Sequence, residues 1–272
     1  MQESCSLYKK AKPMKVWATS DLHVDYQENW DWFMQLSEIE YQEDILILAG
    51  DIIPNINRVV VLLESLVRKF FKVLFVPGNH DVWLTKGEEI NSLEKFHQLL
   101  VLAENLGVQT TPFVSPELSI VPIFSWYDYS FGKPSLTIQR AWVDFKACKW
   151  TMEEEALTNY FLELNEPHLN PTSEAIISFS HFVPSVDLIP SRVPKVVKAL
   201  LPVFGSNKIE TQLQKLGTDL HIYGHSHLNR SVKKDGIWYL NNAFGYPHEA
   251  HICRKVLMSV YENGMVVKGI KQ

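Results

Sequence analysis

The chain has 272 residues, of which 46% are hydrophobic and 21% are charged, and its formal net charge is −5 at pH 7. This length suits one domain, and this composition is ordinary for a globular protein. The mildly acidic charge gives no support for a non-specific nucleic-acid binder, which needs a strongly basic face to displace phosphate counterions.

The N-terminal segment indicates where the folded domain begins, and the cysteines indicate the cellular compartment of the protein. Residues 1–13 carry lysines but no apolar core, so they predict an N-terminal leader and not a signal peptide. Residues 14–272 are predicted to form a single domain, in which residues 112–150 are either a lid or a packed insertion. Three scattered cysteines without paired spacing favour a cytoplasmic protein with reduced thiols. The apolar runs are too short for a membrane span, so we expect no membrane association.

The first half of the domain alternates between strand-like and helix-like segments. Three short apolar runs predict strands that are buried on both faces: Met14–Thr19, Asp44–Ala49 and Val73–Val76. Helical spacing predicts helices over Trp30–Ile39 and Arg58–Phe71, the second capped by Asn57. This β-α-β-α-β order implies parallel strands joined by crossover helices.

The second half is less regular. Helices are predicted over Glu88–Leu106 and Glu153–Leu164, and buried strands over Glu174–Ser180 and Asp219–Tyr223. Near the end, Asp-Gly and Asn-Gly turns predict two antiparallel hairpins. Their strands are Arg230–Lys234 with Ile237–Asn241, and Val256–Tyr261 with Met265–Ile270. A parallel first half and terminal hairpins together indicate mixed sheets.

Polar side chains with metal-binding chemistry follow the predicted strands. In chain order they are Asp21, His23, Asp51, Asn79, His181, His225 and His227. The carboxyl ends of parallel strands share one crevice, so five segments would bring these side chains together. Carboxylate, imidazole and amide donors suit Mn²⁺, Fe²⁺ and Zn²⁺. Two such ions would outweigh the two carboxylates, and the positive site would attract a phosphate anion.

The ordered blocks DLH, GD, GNHD, H and GHSH resemble those of the calcineurin-like metallophosphoesterase superfamily, in its compact bacterial-type branch. The resemblance covers Met14 to about Leu228. It implies a four-layer α/β/β/α sandwich of two mixed sheets, with a dinuclear metal site at the strand ends. It also implies hydrolysis of a phosphate ester by a hydroxide that bridges two divalent ions, which would be Mn²⁺, Fe²⁺/Fe³⁺ or Zn²⁺.

The same resemblance assigns roles to the residues of these blocks. The first ion would be held by Asp21, His23, Asp51 and His227. The second would be held by Asp51, Asn79, His181 and His225, so that Asp51 bridges the two. His80 would stabilise charge on the phosphate or protonate the departing oxygen, and Asp81 would hold the imidazole of His80 in one tautomer.

Four further side chains are candidates for substrate contact. Trp126 and Tyr127 lie in an aromatic segment that suits either a pocket rim or the core. Arg140 is a candidate phosphate clamp, and His248 follows the last ligand block closely enough to reach the rim. His221 lies inside a predicted strand, where packing is the better interpretation.

Departures from subfamily patterns narrow the function. GDIIPNINR lacks the GDxVDRG pattern of the protein phosphatases, and Pro54 replaces the metal-binding tyrosine of the purple acid phosphatases. A phosphodiesterase acting on a small or nucleotide-derived diester is favoured, with a small phosphate ester as its binding partner. The alternatives are a phosphomonoesterase, a metal-dependent nuclease and a non-catalytic scaffold. The nuclease would need a basic groove, for which Lys195, Lys198, Lys233 and Lys234 are the candidates. The oligomeric state stays open.

Overall fold

The computed structural model describes residues 14–267, and the three predicted N-terminal strands lie side by side in its first sheet, with the third at one edge. These strands, which run parallel, are β1 (Val16–Thr19), β2 (Ile45–Ala49) and β3 (Lys72–Val76). They are connected by α1 (Gln27–Met34) and α2 (Ile56–Lys69). The predicted order of parallel strands and crossover helices is confirmed. The predicted leader, residues 1–13, lies outside the described residues.

Helix caps explain two of the departures from the predicted helix bounds, at the starts of α2 and of the helix that follows it. α2 begins two residues early because Asn55, and not Asn57, is its cap. The backbone of Asn55 is extended, so its side chain can accept a hydrogen bond from the Arg58 amide at 3.1 Å. The next helix, α3 (Ser92–Asn105), starts four residues after the predicted start at Glu88, because Asn91 and Glu94 form a capping box.

Residues 112–150 divide between sheet and short helices. The strands β4 (Phe113–Val114) and β5 (Leu118–Pro122) belong to the second sheet. The helices α4 (Leu136–Ala141) and α5 (Asp144–Ala147) follow β5. This region is therefore not one uniform lid, because its first part is built into the second sheet.

The rest of the chain completes both sheets. Its elements are α6 (Glu154–Asn165), β6 (Ala175–Phe179), α7 (Lys195–Leu200), α8 (Asn207–Leu216), β7 (Leu220–Tyr223), β8 (Arg230–Lys234), β9 (Ile237–Asn241), β10 (Met258–Glu262) and β11 (Met265–Val266). Both predicted hairpins are present, and all four of their turn residues have positive φ. α7 and α8 were not predicted. The predicted continuation of β11 to residue 270 extends beyond the described residues.

Both sheets are mixed, as predicted. The first has the order β11-β10-β1-β2-β3, with β10 antiparallel to β1. The second has the order β4-β5-β6-β7-β9-β8, in which the four inner strands run parallel and the two edge strands antiparallel. In each sheet the parallel strands, β1 to β3 in the first and the four inner strands in the second, have their carboxyl ends along one edge.

Apolar side chains fill the space between the sheets and beneath the helices. The layer between the sheets includes Val16, Ile47 and Leu74 of the first sheet and Ile120, Phe179 and Ile222 of the second. On the outer face of the first sheet, Leu46 and Phe75 cluster with Leu62 of α2. On the outer face of the second, Tyr239 reaches Glu210 of α8. The predicted four-layer sandwich is confirmed. Within residues 14–267, no helix is both long and apolar enough to cross a bilayer.

Candidate metal centre

The backbone adopts unusual conformations where the segments after the strands meet. Asp21, His23, Asp51, His225 and His227 all have positive φ, between 43° and 67°. They are five of the eight non-glycine residues with positive φ in the described part of the chain. For residues other than glycine this conformation costs about 1–2 kcal/mol each, so surrounding contacts must hold it in place. Such strain is typical of functional sites.

The first group of converging ligand atoms contains Asp21, His23 and His227. His227 Nε2 lies 3.2 Å from Asp21 Oδ1 and 3.1 Å from His23 Nε2. The backbone amide of His225 donates hydrogen bonds to both oxygens of Asp21, at 2.9 and 3.1 Å. Asp21 is completely buried, so its carboxylate faces only protein and the interior of the site.

The second group contains Asp51, His181 and His225, with Asn79 beside it. His181 Nε2 lies 3.4 Å from Asp51 Oδ1, 3.0 Å from Asn79 Oδ1 and 3.1 Å from His225 Nδ1. Asp51 also belongs to a cluster with His23 and His80. Asp51 therefore lies between the two groups, and the structure brings all seven candidate ligands together at one edge of the sandwich.

The hydrogen bonds of the imidazoles show that the site fits a cation. His181 donates Nδ1–H to the carbonyl of Ala49 at 2.9 Å, and His225 donates Nε2–H to the carbonyl of Val203 at 3.0 Å. A neutral imidazole has one N–H, so the remaining ring nitrogens carry lone pairs. These two nitrogens face each other at 3.1 Å. Two lone pairs at this distance repel unless a cation lies between them, so the donor set suits a metal ion.

The pKa shifts follow from burial and from the crowding of charge. Burial lowers the pKa of His23, His181 and His225, which favours the neutral rings that bind metals. Burial raises the pKa of Asp51 well above its usual range, and nearby carboxylates raise it further. Burial alone would lower the pKa of His227, but two neighbouring carboxylates raise it to about 9. The centre thus gathers buried carboxylates that a cation would stabilise.

Glu249 orients one ligand from outside the metal centre. Its Oε2 accepts the Nδ1–H of His227 at 2.6 Å and the amide of Tyr246 at 2.9 Å. The Nε2 atom of His227 is thereby left to face Asp21. Glu249 was not among the residues predicted from the sequence, although its neighbour His248 was. A carboxylate close to a ligand-bearing segment was the available signal.

Asp144 has the corresponding role on the other side and was also missed. Its Oδ1 accepts hydrogen bonds from Asn79 Nδ2 at 2.8 Å and Trp83 Nε1 at 2.6 Å, and its Oδ2 accepts one from Trp142 Nε1 at 2.7 Å. Because the nitrogen of the Asn79 amide is engaged, the amide oxygen must face His181. Asp144 lies 65 residues from Asn79 along the chain, and no sequence pattern joins them.

Asp81 has a different role from the one that the resemblance implied. Its Oδ1 accepts hydrogen bonds from the two amides that follow Asp51, at 2.8 and 3.0 Å. Its Oδ2 accepts from the amides of Asp51 and Gly78, at 2.9 and 2.8 Å. Four backbone donors use the four acceptor positions of a carboxylate. The prediction that Asp81 orients the imidazole of His80 is wrong, and Asp81 instead fixes the turn that presents Asp51.

His80 lies at the mouth of the centre. Its side chain is 15% exposed, and its Nε2 lies 3.8 Å from Asp51 Oδ2. Its ring stacks on Trp83 with 3.6 Å between ring centroids. Next to it, Tyr246 stacks on His23 at 4.2 Å, and the exposed His248 stacks on Tyr246 at 5.5 Å. His248 thus lies at the rim, one ring removed from a ligand.

Two of the candidate substrate contacts belong to the core. Trp126 and Tyr127 are each only 2% exposed and pack against Phe182, the residue after His181. Of the two interpretations that the sequence left open, pocket rim or core, the structure favours the core, because their large apolar rings fill space inside the protein. Arg140 is exposed in α4, and its function as a phosphate clamp stays a prediction.

The chain is similar to proteins of known family and known structure. A family model described as calcineurin-like phosphoesterase matches residues 14–229. The [acyl-carrier-protein] phosphodiesterase PptH of Mycobacterium tuberculosis is 26% identical over 264 residues, which cover 86% of this chain and 78% of that protein.

A solved structure gives the corresponding comparison of folds. The crystal structure of phosphopantetheinyl hydrolase (PptH) from Mycobacterium tuberculosis superposes with a TM-score of 0.79 and 23% identity. The superposition covers 96% of this chain and 100% of that chain. At this identity the likeness shows that the two chains share a fold.

Proposed function

The chain belongs to the calcineurin-like phosphoesterase family, and we propose that it is a phosphodiesterase that removes a phosphopantetheinyl group from a carrier protein. Family membership agrees with the phosphoric ester hydrolase that the sequence predicted. The substrate is suggested by the names of the similar PptH protein and of its crystal structure. This substrate differs from the small or nucleotide-derived diester favoured from the sequence, because the diester would be attached to a protein.

The observation that carries the proposal is the position of Asp51 between two ligand groups. Asp51 shares one cluster with His181 and His225 and another with His23 and His80. Such a carboxylate can hold two cations side by side. When bound, two divalent ions supply the positive charge that holds phosphate oxygens and makes the phosphorus more electrophilic. Carboxylate, imidazole and amide donors make Mn²⁺, Fe²⁺/Fe³⁺ and Zn²⁺ the candidates.

The proposed reaction is hydrolysis at phosphorus. Water oxygen forms a new bond to phosphorus and loses a proton, the bond from phosphorus to the ester oxygen of the carrier breaks, and that oxygen takes up a proton. His80 is the side chain placed to supply this proton or a hydrogen bond. Its stack on Trp83 holds the ring at the mouth, and its backbone amide donates to Asp51 Oδ1 at 2.9 Å. Both contacts fix the imidazole relative to the metal centre.

The test compares three substrates in the presence of Mn²⁺. Wild-type protein should hydrolyse bis-p-nitrophenyl phosphate faster than p-nitrophenyl phosphate, and should remove the phosphopantetheinyl mass from a holo-acyl carrier protein in intact-protein mass spectrometry. Asp51→Asn should abolish all turnover, whereas Asp31→Asn makes the same exchange at an exposed position of α1 and should not. A preference for the monoester would replace this proposal with a phosphomonoesterase.

Two alternatives from the sequence lose support from particular contacts. Lys234, a candidate for a nuclease groove, forms ion pairs with the carboxylates of Glu210, Asp187 and Asp235. Its charge is therefore largely neutralised locally. A non-catalytic metal-binding scaffold would not need His80, which lies outside the predicted ligand set and yet has its Nε2 atom 3.8 Å from Asp51 Oδ2.

A further inference from the structure

Two adjoining clefts flank the His227 side of the metal centre. The first has a volume of about 580 Å³, and its lining includes Leu228, Arg230 and Arg254. The second has a volume of about 700 Å³, and its lining includes Arg192, Lys198 and the same Arg230. Because Pro190 also lines both, the two clefts lie next to each other. We call this surface the basic face.

The basic face begins next to the metal ligands. Leu228 directly follows His227, and the Cys253 thiol, which lines the first cleft, donates to the carbonyl of His227 at 3.5 Å. Leu201 of the second cleft belongs to the same short 3₁₀ helix as Val203, whose carbonyl accepts a hydrogen bond from His225. A molecule bound across the basic face would therefore lie beside the centre.

Its charge is opposite to that of the whole chain. Two arginines and a lysine that line the clefts, Arg192, Arg254 and Lys198, are exposed, and Arg230 is half-buried. Among the described lining residues of both clefts, the only carboxylate is Asp187, which is paired with Lys234 at 3.4 Å. The chain as a whole carries −5. A negatively charged partner would therefore be repelled by most of the surface and attracted here.

We propose that the basic face binds an acidic surface of the protein that carries the scissile phosphodiester. The inference rests on the proposed function, because a diester attached to a protein can reach the metals only if its carrier contacts the surrounding surface. Complementary charge at such a contact raises the association rate and fixes the orientation of the partner. Arg192 and Arg254, from two separate segments, form the two ends of the contact.

The lining suits a protein better than a nucleic acid. Neither cleft includes a Phe, Tyr or Trp among its described lining residues, so neither offers a surface on which unpaired bases stack. Instead Ile252, which is 41% exposed, lies between His251 and Cys253 in the first cleft. Apolar side chains among cations are suited to a protein helix with mixed acidic and apolar residues.

The test measures binding separately from turnover. Holo-acyl carrier protein is titrated against Asp51→Asn protein, which cannot consume it, with and without the added pair Arg192→Glu and Arg254→Glu. The pair should raise Kd by about tenfold or more, because like charges then face each other. The Kd of the parent should also rise with NaCl, and that of the charge-reversed protein should not. Arg68→Glu, on the exposed side of α2, is the matched control and should leave Kd unchanged. Thermal unfolding, compared with that of the Asp51→Asn parent, reports whether each variant folds.

Each outcome decides between the two proposals. A weakened complex that wild-type protein does not cleave would retain the docking surface and overturn the proposed function. Cleavage of the carrier by wild-type protein, together with a Kd that the charge reversal leaves unchanged, would retain the function and overturn the docking surface. The docking surface is also overturned if the carrier does not bind, or if the reversal weakens only binding of a single-stranded oligonucleotide.

Discussion

The two sides of the metal centre are oriented by different kinds of carboxylate. On the His227 side, Glu249 accepts one imidazole N–H, and its side chain is 18% exposed. On the Asn79 side, Asp144 is only 2% exposed and accepts hydrogen bonds from three side chains. Water can replace a lost partner at the first position but not at the second. We therefore expect the two metal sites to differ in their sensitivity to mutation of these carboxylates.

Asp51 is common to both sides of the centre, so its substitution should affect both metal sites and not one more than the other. Asp51→Asn replaces a bridging carboxylate with a neutral amide, and we expect kcat/KM to fall by more than about 100-fold, beyond the usual effect of residues outside the ligand set. Metal analysis should show fewer than two ions per chain. Near-wild-type turnover with both metals retained would disprove the bridging role.

Asp144→Asn should affect mainly the Asn79 side. An amide in this buried position would direct its NH₂ group at the donors of Asn79, Trp83 or Trp142, so at least one hydrogen bond is lost. We expect affinity for one of the two metals to fall by about 10- to 100-fold, while the other stays bound. Metal titration with elemental analysis measures this. Two ions bound with unchanged affinity would show that Asp144 does not position Asn79.

Substitution of Glu249 should weaken metal binding less than substitution of Asp144, and on the His227 side of the centre. Glu249→Ala removes the acceptor of the His227 N–H, and we expect about tenfold weaker binding of one metal, at the low end for such residues. Glu249→Gln keeps a carbonyl acceptor and should restore most of the affinity. If the two substitutions weaken binding equally, the charge of Glu249 matters and its hydrogen bond does not.

His221 provides a comparison with a buried histidine outside both sides of the centre. It is completely buried, its ring nitrogens pair with the hydroxyls of Ser178 and Ser180, and burial lowers its pKa to about 3. Below the usual histidine pKa of about 6.5, the unfolded chain binds a proton that the folded chain does not. The free energy of unfolding therefore decreases as the pH is lowered from about 6.5 to about 3. This agrees with the packing role expected from the sequence.

Replacing His221 should remove this part of the pH dependence. Between about pH 7 and about pH 5.5, the free energy of unfolding should fall by roughly 1 kcal/mol less in His221→Gln than in wild-type protein. Urea unfolding of both proteins at saturating metal measures the difference. Equal losses in the two proteins would mean that His221 can be protonated in the folded state.

Much of the fold and the ligand set was predictable because both depend on local patterns. A buried strand needs only a short apolar run, and a polar residue that follows it lies at the end of the sheet. Asp21, His23 and Asp51 follow β1 and β2 in this way. The hairpin turns were equally local, since Asp235-Gly236 and Asn263-Gly264 tolerate positive φ. Helix starts were less certain, because Asn55 and Asn57 are both suitable caps by composition.

The partners of these residues were decided only by tertiary structure. Asp144 meets Asn79 across 65 residues, and Glu249 meets His227 across 22. Asp81 accepts from four backbone amides, and Trp126 lies in the core, although both stand beside sequence motifs that suggested other roles. The sequence therefore determined which chemical groups lie at the strand ends. Which hydrogen bonds those groups form, and which surfaces are buried, depends on segments that become neighbours only when the two sheets pack together.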